Sequence, residues 1–144
     1  MSQHKAAYHV LRLTLGITFL WISVMIFQEP TFWSGFMDPW AASLVPLDLE
    51  TLMKITAGLD LLIGLLLVAN KGTWIASLIA SVHLLVILIT SGIDTVTVRD
   101  LGLLGAAVAL TLESLPSALV KNKKQDTSAP DLQAFAKAGQ DENP

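Results

Sequence analysis

Long apolar runs separated by short polar breaks dominate the first 115 residues of the chain. Four such runs cover residues 6–27, 49–69, 73–90 and 95–115. Each is roughly as long as an α-helix must be to cross about 30 Å of hydrocarbon at about 1.5 Å per residue. Stretches such as "LLIGLLLVA" (61–69) and "HLLVILI" (83–89) lack the polar face of a helix in a soluble bundle. The pattern predicts an all-α polytopic membrane protein, a bundle of four transmembrane helices.

The first run is predicted to be a retained helix rather than a cleaved signal peptide. It is too long for the apolar region of a signal peptide, contains Arg12, and is not followed closely by a small-residue cleavage site.

The connection between the first two runs, "FQEPTFWSGFMDPWAASLVPLDLE", is predicted to contain short helices. Its three prolines suit first turns of helices, and Asp38 is placed to act as an N-cap. The aromatic residues of this segment are typical of the headgroup level of a membrane. We therefore expect short interfacial helices in this first outer loop. Trp33 and Trp40 are candidates for a ligand-covering lid, and a simple aromatic anchor is the alternative.

Composition strengthens the membrane assignment and excludes several classes of function. Hydrophobic residues make up 53% of the chain and charged residues 15%, against roughly 25% charged in ordinary soluble domains. The net charge of −3 comes without a basic patch, so nucleic acid is not an expected partner. Because the chain has no cysteine, disulfides and thiolate metal sites are excluded, and no metal site is predicted.

The charges also predict domain organisation and orientation. Lysines lie before the first run (Lys5), in the turn after the second (Lys71) and after the fourth, whereas residues 28–48 contain no Lys or Arg. By the positive-inside rule, the N- and C-termini are cytoplasmic and the protein is a multi-pass protein of the plasma membrane. Residues 1–120 form the transmembrane domain, and residues 121–144 have the composition of a disordered cytoplasmic tail.

Ionisable residues inside the runs are candidates for a polar site. An uncompensated carboxylate such as Asp60 costs roughly 2.5 to 3.5 kcal/mol at the centre of a membrane helix. Asp60, His83 and Arg12 each share a helix face with small residues, which predicts that these faces point into the bundle. The small residues are Ala57 and Gly64 for Asp60, Ala76 and Ala80 for His83, and Gly16 and Ser23 for Arg12.

Estimates of depth predict which of these side chains meet. At about 1.5 Å per residue, Asp60 and His83 lie level, and Arg12 lies roughly 7 Å nearer the cytoplasm, within reach of a long side chain. The predicted intramembrane site is therefore Arg12, Asp60 and His83, with Asp60 and Arg12 as an ion pair. A satisfied packing histidine is the alternative for His83.

A second polar group is predicted nearer the outer surface. It consists of Lys54, Arg99 and Asp100. Two simpler interpretations stay open: Asp100 caps the fourth helix at the capping-box spacing from Thr97, and Lys54 and Glu113 each extend to an interface. Glu113 lies near the inner surface, with Arg12 as a candidate partner. One inward stripe of the fourth helix is predicted to consist of Arg99, Gly102, Ala106, Ala109 and Glu113.

Three segments resemble the DoxX-like family of membrane proteins. They are "LRLTLGITFLW" (11–21), the acidic Asp60 before "LLIGLLL" (61–67), and "RDLGLLGAAVAL" (99–110). The resemblance covers most of residues 6–115 and implies four transmembrane helices. It also implies an association with quinone-linked or thiol-linked oxidoreductase systems, as in the DoxD subunit of thiosulfate:quinone oxidoreductase.

Three classes of function stay open at this point. The first is a subunit or accessory protein of a membrane oxidoreductase, with a quinone as the candidate cofactor and a membrane or peripheral oxidoreductase as the partner. The sequence lacks a haem-ligating His pair, a flavin motif and a Cys pair, so a partner would have to carry the electrons. The second is a small proton-coupled carrier. The third is a non-catalytic assembly or scaffold protein, and the sequence leaves the oligomeric state open.

Overall fold

The computed structural model describes residues 3–116, and all regular structure within that range is helical. The predicted tail, residues 121–144, lies outside the described residues. Six helices follow one another: α1 Gln3–Gln28, α2 Pro30–Ser34, α3 Pro39–Leu44, α4 Leu49–Val68, α5 Thr73–Ser91 and α6 Val98–Ser114. Of these, α1, α4 and α5 are long and apolar enough to cross a membrane. The prediction of an all-helical membrane protein is confirmed at this level.

The four long helices form two antiparallel pairs. The α1 helix packs mainly against α4, and α5 packs mainly against α6. In the first pair the Ser23 hydroxyl donates to the carbonyl of Ala57 at 2.8 Å. In the second pair the Thr111 hydroxyl donates to the Ser77 hydroxyl at 3.0 Å. We call the end with the 69–72 turn the turn end, and the end covered by residues 29–48 the lid end.

Glycine allows the close approach of α1 and α4. A Cβ atom added to Gly64 would lie 2.7 Å from Cγ of Leu20 and 2.9 Å from the carbonyl oxygen of Gly16. Neither distance is open to a real side chain, so the two helix backbones touch through these glycines. The prediction that the α4 face with Gly64 points into the bundle is therefore confirmed.

Local hydrogen bonds explain where α4 begins and ends. Asp48 accepts a hydrogen bond from the N–H of Thr51 at 2.8 Å, which caps the helix and lowers the pKa of the Asp48 carboxyl. At the other end, the N–H of Lys71 donates to Leu66 and that of Asn70 to Leu67. Asn70 has a φ of 57°, so this is a Schellman turn with asparagine at the left-handed position.

The α6 helix begins at Val98 rather than at the predicted residue 95 because a hydrogen-bonded turn precedes it. Asp94 Oδ1 accepts from the N–H groups of Val96 at 2.7 Å and Thr97 at 2.8 Å. The Thr97 hydroxyl donates back to the carbonyl of Gly92 at 2.7 Å. Hydrogen bonds from the backbone N–H groups of Thr97 and Val96 lower the pKa of Asp94.

The predicted inward stripe of α6 is wrong. Arg99, Gly102, Ala109 and Glu113 are exposed, and the buried residues of the helix are Asp100, Ala107 and Leu110. The buried face of α6 starts at Asp100, one residue after Arg99. It is therefore rotated by about 100° about the helix axis from the predicted stripe. In this orientation Leu110 is fully buried and Thr111 contacts Ser77. The prediction missed it because it assumed that the smallest residues of the helix mark its inward face.

Large apolar side chains cover the outside of the bundle. Trp21 is 69% exposed, and Leu62, Val82 and Ile89 are each more than half exposed. All four lie within the long helices α1, α4 and α5. Monomeric soluble proteins rarely expose contiguous apolar surfaces of this extent. This surface fits contact with lipid.

Candidate functional site

A mostly apolar cavity of about 320 Å³ lies between the helices in the lid-end half of the bundle. Its lining begins at Phe19 on α1, reaches Asp60 on α4, and begins at His83 on α5. The residues that continue each helix towards the turn end do not line it. Asp60 and His83 therefore form the floor of the cavity.

The floor is an acid and base pair held between two helices. The Nε2 atom of His83 lies 3.1 Å from Oδ1 of Asp60, and the exposed fractions of the two side chains are 12% and 3%. The contact lacks the alignment of a hydrogen bond, so both atoms have no hydrogen-bond partner among residues 3–116. The two groups touch without sharing a hydrogen bond, so both keep hydrogen-bonding capacity for a ligand.

Helix periodicity places both groups. Asp60 follows the fully buried Ala57 by three residues on the inner face of α4. On α5, the fully buried Ala76 and Ala80 precede His83 on one face. These small residues allow the helices to approach, so the level positions predicted for Asp60 and His83 are found in the structure.

Arg12 does not join the floor, so the predicted Arg12–Asp60 ion pair is wrong. The Arg12 guanidinium donates to the backbone carbonyls of Leu67 and Val68, the latter at 3.0 Å. These carbonyls belong to the last turn of α4, where helical partners run out and the helix dipole favours a cation. Arg12 therefore stabilises the end of α4. The predicted contact with Glu113 is also not formed, because the Arg12 guanidinium donates to α4 instead, and Glu113 is exposed.

The second predicted cluster is divided in the structure. Lys54 forms an exposed ion pair with Glu50 at 2.6 Å, whereas Arg99 and Asp100 contact each other at 3.4 Å and line the cavity. Asp100 is 6% exposed. The alternative role of Asp100 as a helix cap is wrong, because the Asp94 carboxylate and the Thr97 hydroxyl form the turn before α6.

The two tryptophans of the predicted lid differ in position. Trp33 lines the cavity together with Phe36 and Met37, and the guanidinium carbon of Arg99 lies 5.5 Å from a ring centre of Trp33. Trp40 is 48% exposed and does not line the cavity. The predicted role of its side chain in covering a ligand is therefore wrong.

A backbone contact fastens this lid to the bundle. The N–H of Asp38 donates to the carbonyl of Thr90 near the end of α5 at 2.9 Å. The Asp38 side chain makes no capping hydrogen bond to α3, contrary to expectation. Its Oδ2 atom instead accepts from Nε1 of Trp40 at 3.3 Å.

Sequence reasoning missed several cavity residues. Thr56, Thr90, Phe36 and Met37 all line the cavity. Thr56 lies one helical turn before Asp60, so its spacing was a usable signal. No such signal marked Phe36 and Met37, because the path of an irregular connection does not follow from periodicity.

In the described part of the chain, no three His, Asp or Glu side chains converge as a metal site would require.

Comparison with family models, with curated proteins and with solved structures finds no match for the chain. Membership of the DoxX-like family stays a prediction from the three sequence segments.

Proposed function

We propose that the chain is a DoxX-like membrane protein that binds a quinone in the cavity and serves a membrane oxidoreductase as a subunit or accessory protein. The observation that carries the proposal is the buried floor, where Asp60 and His83 hold unused hydrogen-bonding atoms under apolar walls. Such a floor suits a flat apolar ring that carries carbonyl or hydroxyl groups.

The size and chemistry of the cavity support this ligand class. Small-molecule sites of about 300 to 1,000 Å³ typically have apolar walls and a few placed polar groups. The His83 imidazole can donate to a quinone carbonyl, and the Asp60 carboxylate can accept from a hydroquinone hydroxyl. Ile55 and Val86 line the cavity and are also at least half exposed on the outside of the bundle. They give an apolar tail a short route into the lipid.

We propose that α6 crosses the membrane as well, in addition to α1, α4 and α5. The α6 helix has 17 residues, or about 25 Å of length, and runs antiparallel to α5. A helix slightly shorter than the hydrocarbon is tolerated at modest cost, and Arg99 and Glu113 near its ends can extend to the interfaces. Exposed Phe32 and Trp40 on the two short helices suit the headgroup level.

Orientation in the proposal rests on the lysines. Lys5 and Lys71 lie at the turn end, and the connection at the lid end has no Lys or Arg between residues 28 and 48. The turn end therefore faces the cytoplasm of a plasma membrane, and the lid end faces outward.

Quinone titration of the purified protein in nanodiscs tests the proposal. Trp33 lines the cavity, so a bound quinone is expected to quench its fluorescence in a saturable way, and the Trp33→Phe variant reports the background. Asp60→Asn and His83→Gln are each expected to weaken binding about tenfold, as loss of one strong hydrogen bond implies.

Glu50→Gln is the matched control, because it removes an exposed carboxylate from the same helix without touching the cavity. The absence of saturable quenching by both benzoquinone and naphthoquinone compounds would contradict the proposal. Co-purification from native membranes with an oxidoreductase, and recovery of quinone in the solvent extract, tests the assignment as a subunit.

A further inference from the structure

We infer that protons and polar solutes reach the Asp60–His83 pair from the lid end alone. The inference rests on the proposed function only in naming a quinone as the ligand. Access to the pair follows from packing and holds for any ligand of the cavity.

The turn-end half of the bundle is closed by tight packing. Below the floor lies a continuous apolar cluster in which Ile63 is 1% exposed and Leu67, Ala80, Ala107 and Leu110 are 0% exposed. The cavity lining meets this cluster at its lid-end edge, at Phe19 and Leu84, and does not reach Ile63, Leu67, Ala80, Ala107 or Leu110. A path for protons needs water or polar groups in sequence, and packed leucine and alanine side chains supply neither.

Hydroxyl groups of this closed half and Nη1 of Arg12 are already engaged, whereas Nε of Arg12 is buried without a hydrogen-bond partner among residues 3–116. Arg12 donates to carbonyls of the last turn of α4. The Ser77 and Ser81 hydroxyls donate to the carbonyls one turn earlier on α5, those of Thr73 and Ser77, at 2.8 Å. Thr111 donates to Ala107 and Ser77. These groups do not form a relay towards the floor.

The lid-end half is built differently. Polar residues from three elements line the cavity above the floor, including Thr56 on α4, Thr90 on α5 and Asp100 on α6. Arg99 lines the same space, and 44% of its side chain is exposed. The pair thus communicates with the aqueous phase past Arg99 and Asp100.

The positions of the charged and titratable groups around the pair also indicate access from the lid end. Across α5 and α4, His83 and Asp60 face each other, and α6 contributes Arg99 and Asp100 to the lining of the same cavity. From α1 the cavity is lined by Phe19, Ile22 and Ile26, none of which titrates. Protons that enter or leave the pair therefore pass through the lid end.

Single cysteines test this inference cleanly because the chain contains no cysteine of its own. Exposed Ser43→Cys and Lys71→Cys mark the lid end and the turn end, respectively. Thr56→Cys and Thr90→Cys report the cavity, and Ser77→Cys reports the packed half. A charged, membrane-impermeant methanethiosulfonate is added to one side of proteoliposomes at a time.

We expect Thr56→Cys and Thr90→Cys to react only from the side on which Ser43→Cys reacts, and to be protected when the added quinone is bound. Ser77→Cys is expected to react from neither side. Reaction of a cavity cysteine from the Lys71→Cys side, or no reaction of either cavity cysteine from the lid side, would overturn the inference. Quinone titration reports separately on the proposed function, so the two can fail independently.

Discussion

The Nε2 atom of His83 lies 3.1 Å from Oδ1 of Asp60, and the contact joins α5 to α4 at the floor of the cavity. It is the point at which the apolar packing of the turn-end half changes into a cavity with polar groups. The first prediction concerns the energetic coupling of these two side chains.

Asp60→Ala and His83→Ala are each expected to lower the free energy of unfolding by about 1 to 3 kcal/mol, because each leaves the other buried group without its neighbour. The double variant is expected to lose less than the sum, with a coupling of at least about 0.5 kcal/mol. Unfolding in detergent by circular dichroism measures all three changes. Strict additivity would show that the contact contributes no energy.

Arg12 is expected to act independently of Asp60. Arg12→Gln removes charge-assisted hydrogen bonds to the last turn of α4, and the expected cost is about 1.5 to 3 kcal/mol. The carbonyls that Arg12 contacts lie seven and eight residues beyond Asp60, or about 10 to 12 Å along the helix. The effects of Arg12→Gln and Asp60→Asn should therefore add to within about 0.5 kcal/mol, as measured in a double-mutant cycle.

The contrast between these residues shows what the sequence can predict. Periodicity places Arg12, Asp60 and His83 on inner faces, because small neighbours and burial follow the helical repeat. Periodicity does not determine which group each of these side chains contacts. The close approach of Gly16 and Gly64 sets the register of α1 against α4, and that register carries Arg12 past Asp60 to the carbonyl end of α4.

The lid shows a second limit of sequence reasoning. Trp33 and Trp40 have the same composition signal, yet only Trp33 lines the cavity. Their difference follows the path of the connection, in which the backbone N–H of Asp38 donates to the carbonyl of Thr90, and such a contact between two backbones leaves no pattern in the side chains. Likewise, the rotation of α6 follows from its packing against α5 rather than from its own small residues.

Gly64→Ala tests the glycine contact between α1 and α4. The new methyl group would meet the carbonyl oxygen of Gly16 at 2.9 Å, and a backbone atom cannot move aside as a side chain can. We expect a loss of about 1 to 3 kcal/mol in unfolding free energy, the usual cost of overpacking.

Gly58→Ala is the matched control on the same helix, since a Cβ atom there would have nothing within 4 Å. It is expected to stabilise the protein by up to about 1 kcal/mol through helix propensity. Equal effects of the two substitutions on the unfolding free energy would argue against a backbone contact at Gly64.

The turn before α6 is expected to give the protein a dependence on acidic pH. Backbone N–H groups of Thr97 and Val96 hold the pKa of Asp94 below its ordinary value of 3.8. Because the unfolded chain binds this proton more tightly, the stabilisation is complete well above pH 3.8 and is lost as the pH falls through the lowered pKa of the folded state.

Asp94→Asn keeps an oxygen acceptor for the turn but does not titrate. Its midpoint of thermal unfolding should therefore fall less than that of the wild type between about pH 5 and pH 3, a window set by the ordinary carboxylate pKa. Identical slopes for wild type and Asp94→Asn would contradict the prediction.

The last prediction concerns the hydrogen bond that fastens the lid. Asp38 has a φ of −61° and a ψ of 142°, values that proline adopts readily. Asp38→Pro therefore keeps the backbone conformation at this residue but removes the N–H that donates to Thr90. Without this hydrogen bond, residues 30–45 are expected to exchange their amide hydrogens faster, and the Trp33 emission should shift to longer wavelength as water enters the cavity.

Asp38→Ala is the control, because it retains the N–H and loses only the side-chain contact with the exposed Trp40. Its amide exchange and Trp33 emission should stay close to those of the wild type. If Asp38→Ala loosened the segment as much as Asp38→Pro, the carboxylate rather than the backbone N–H would be holding the lid.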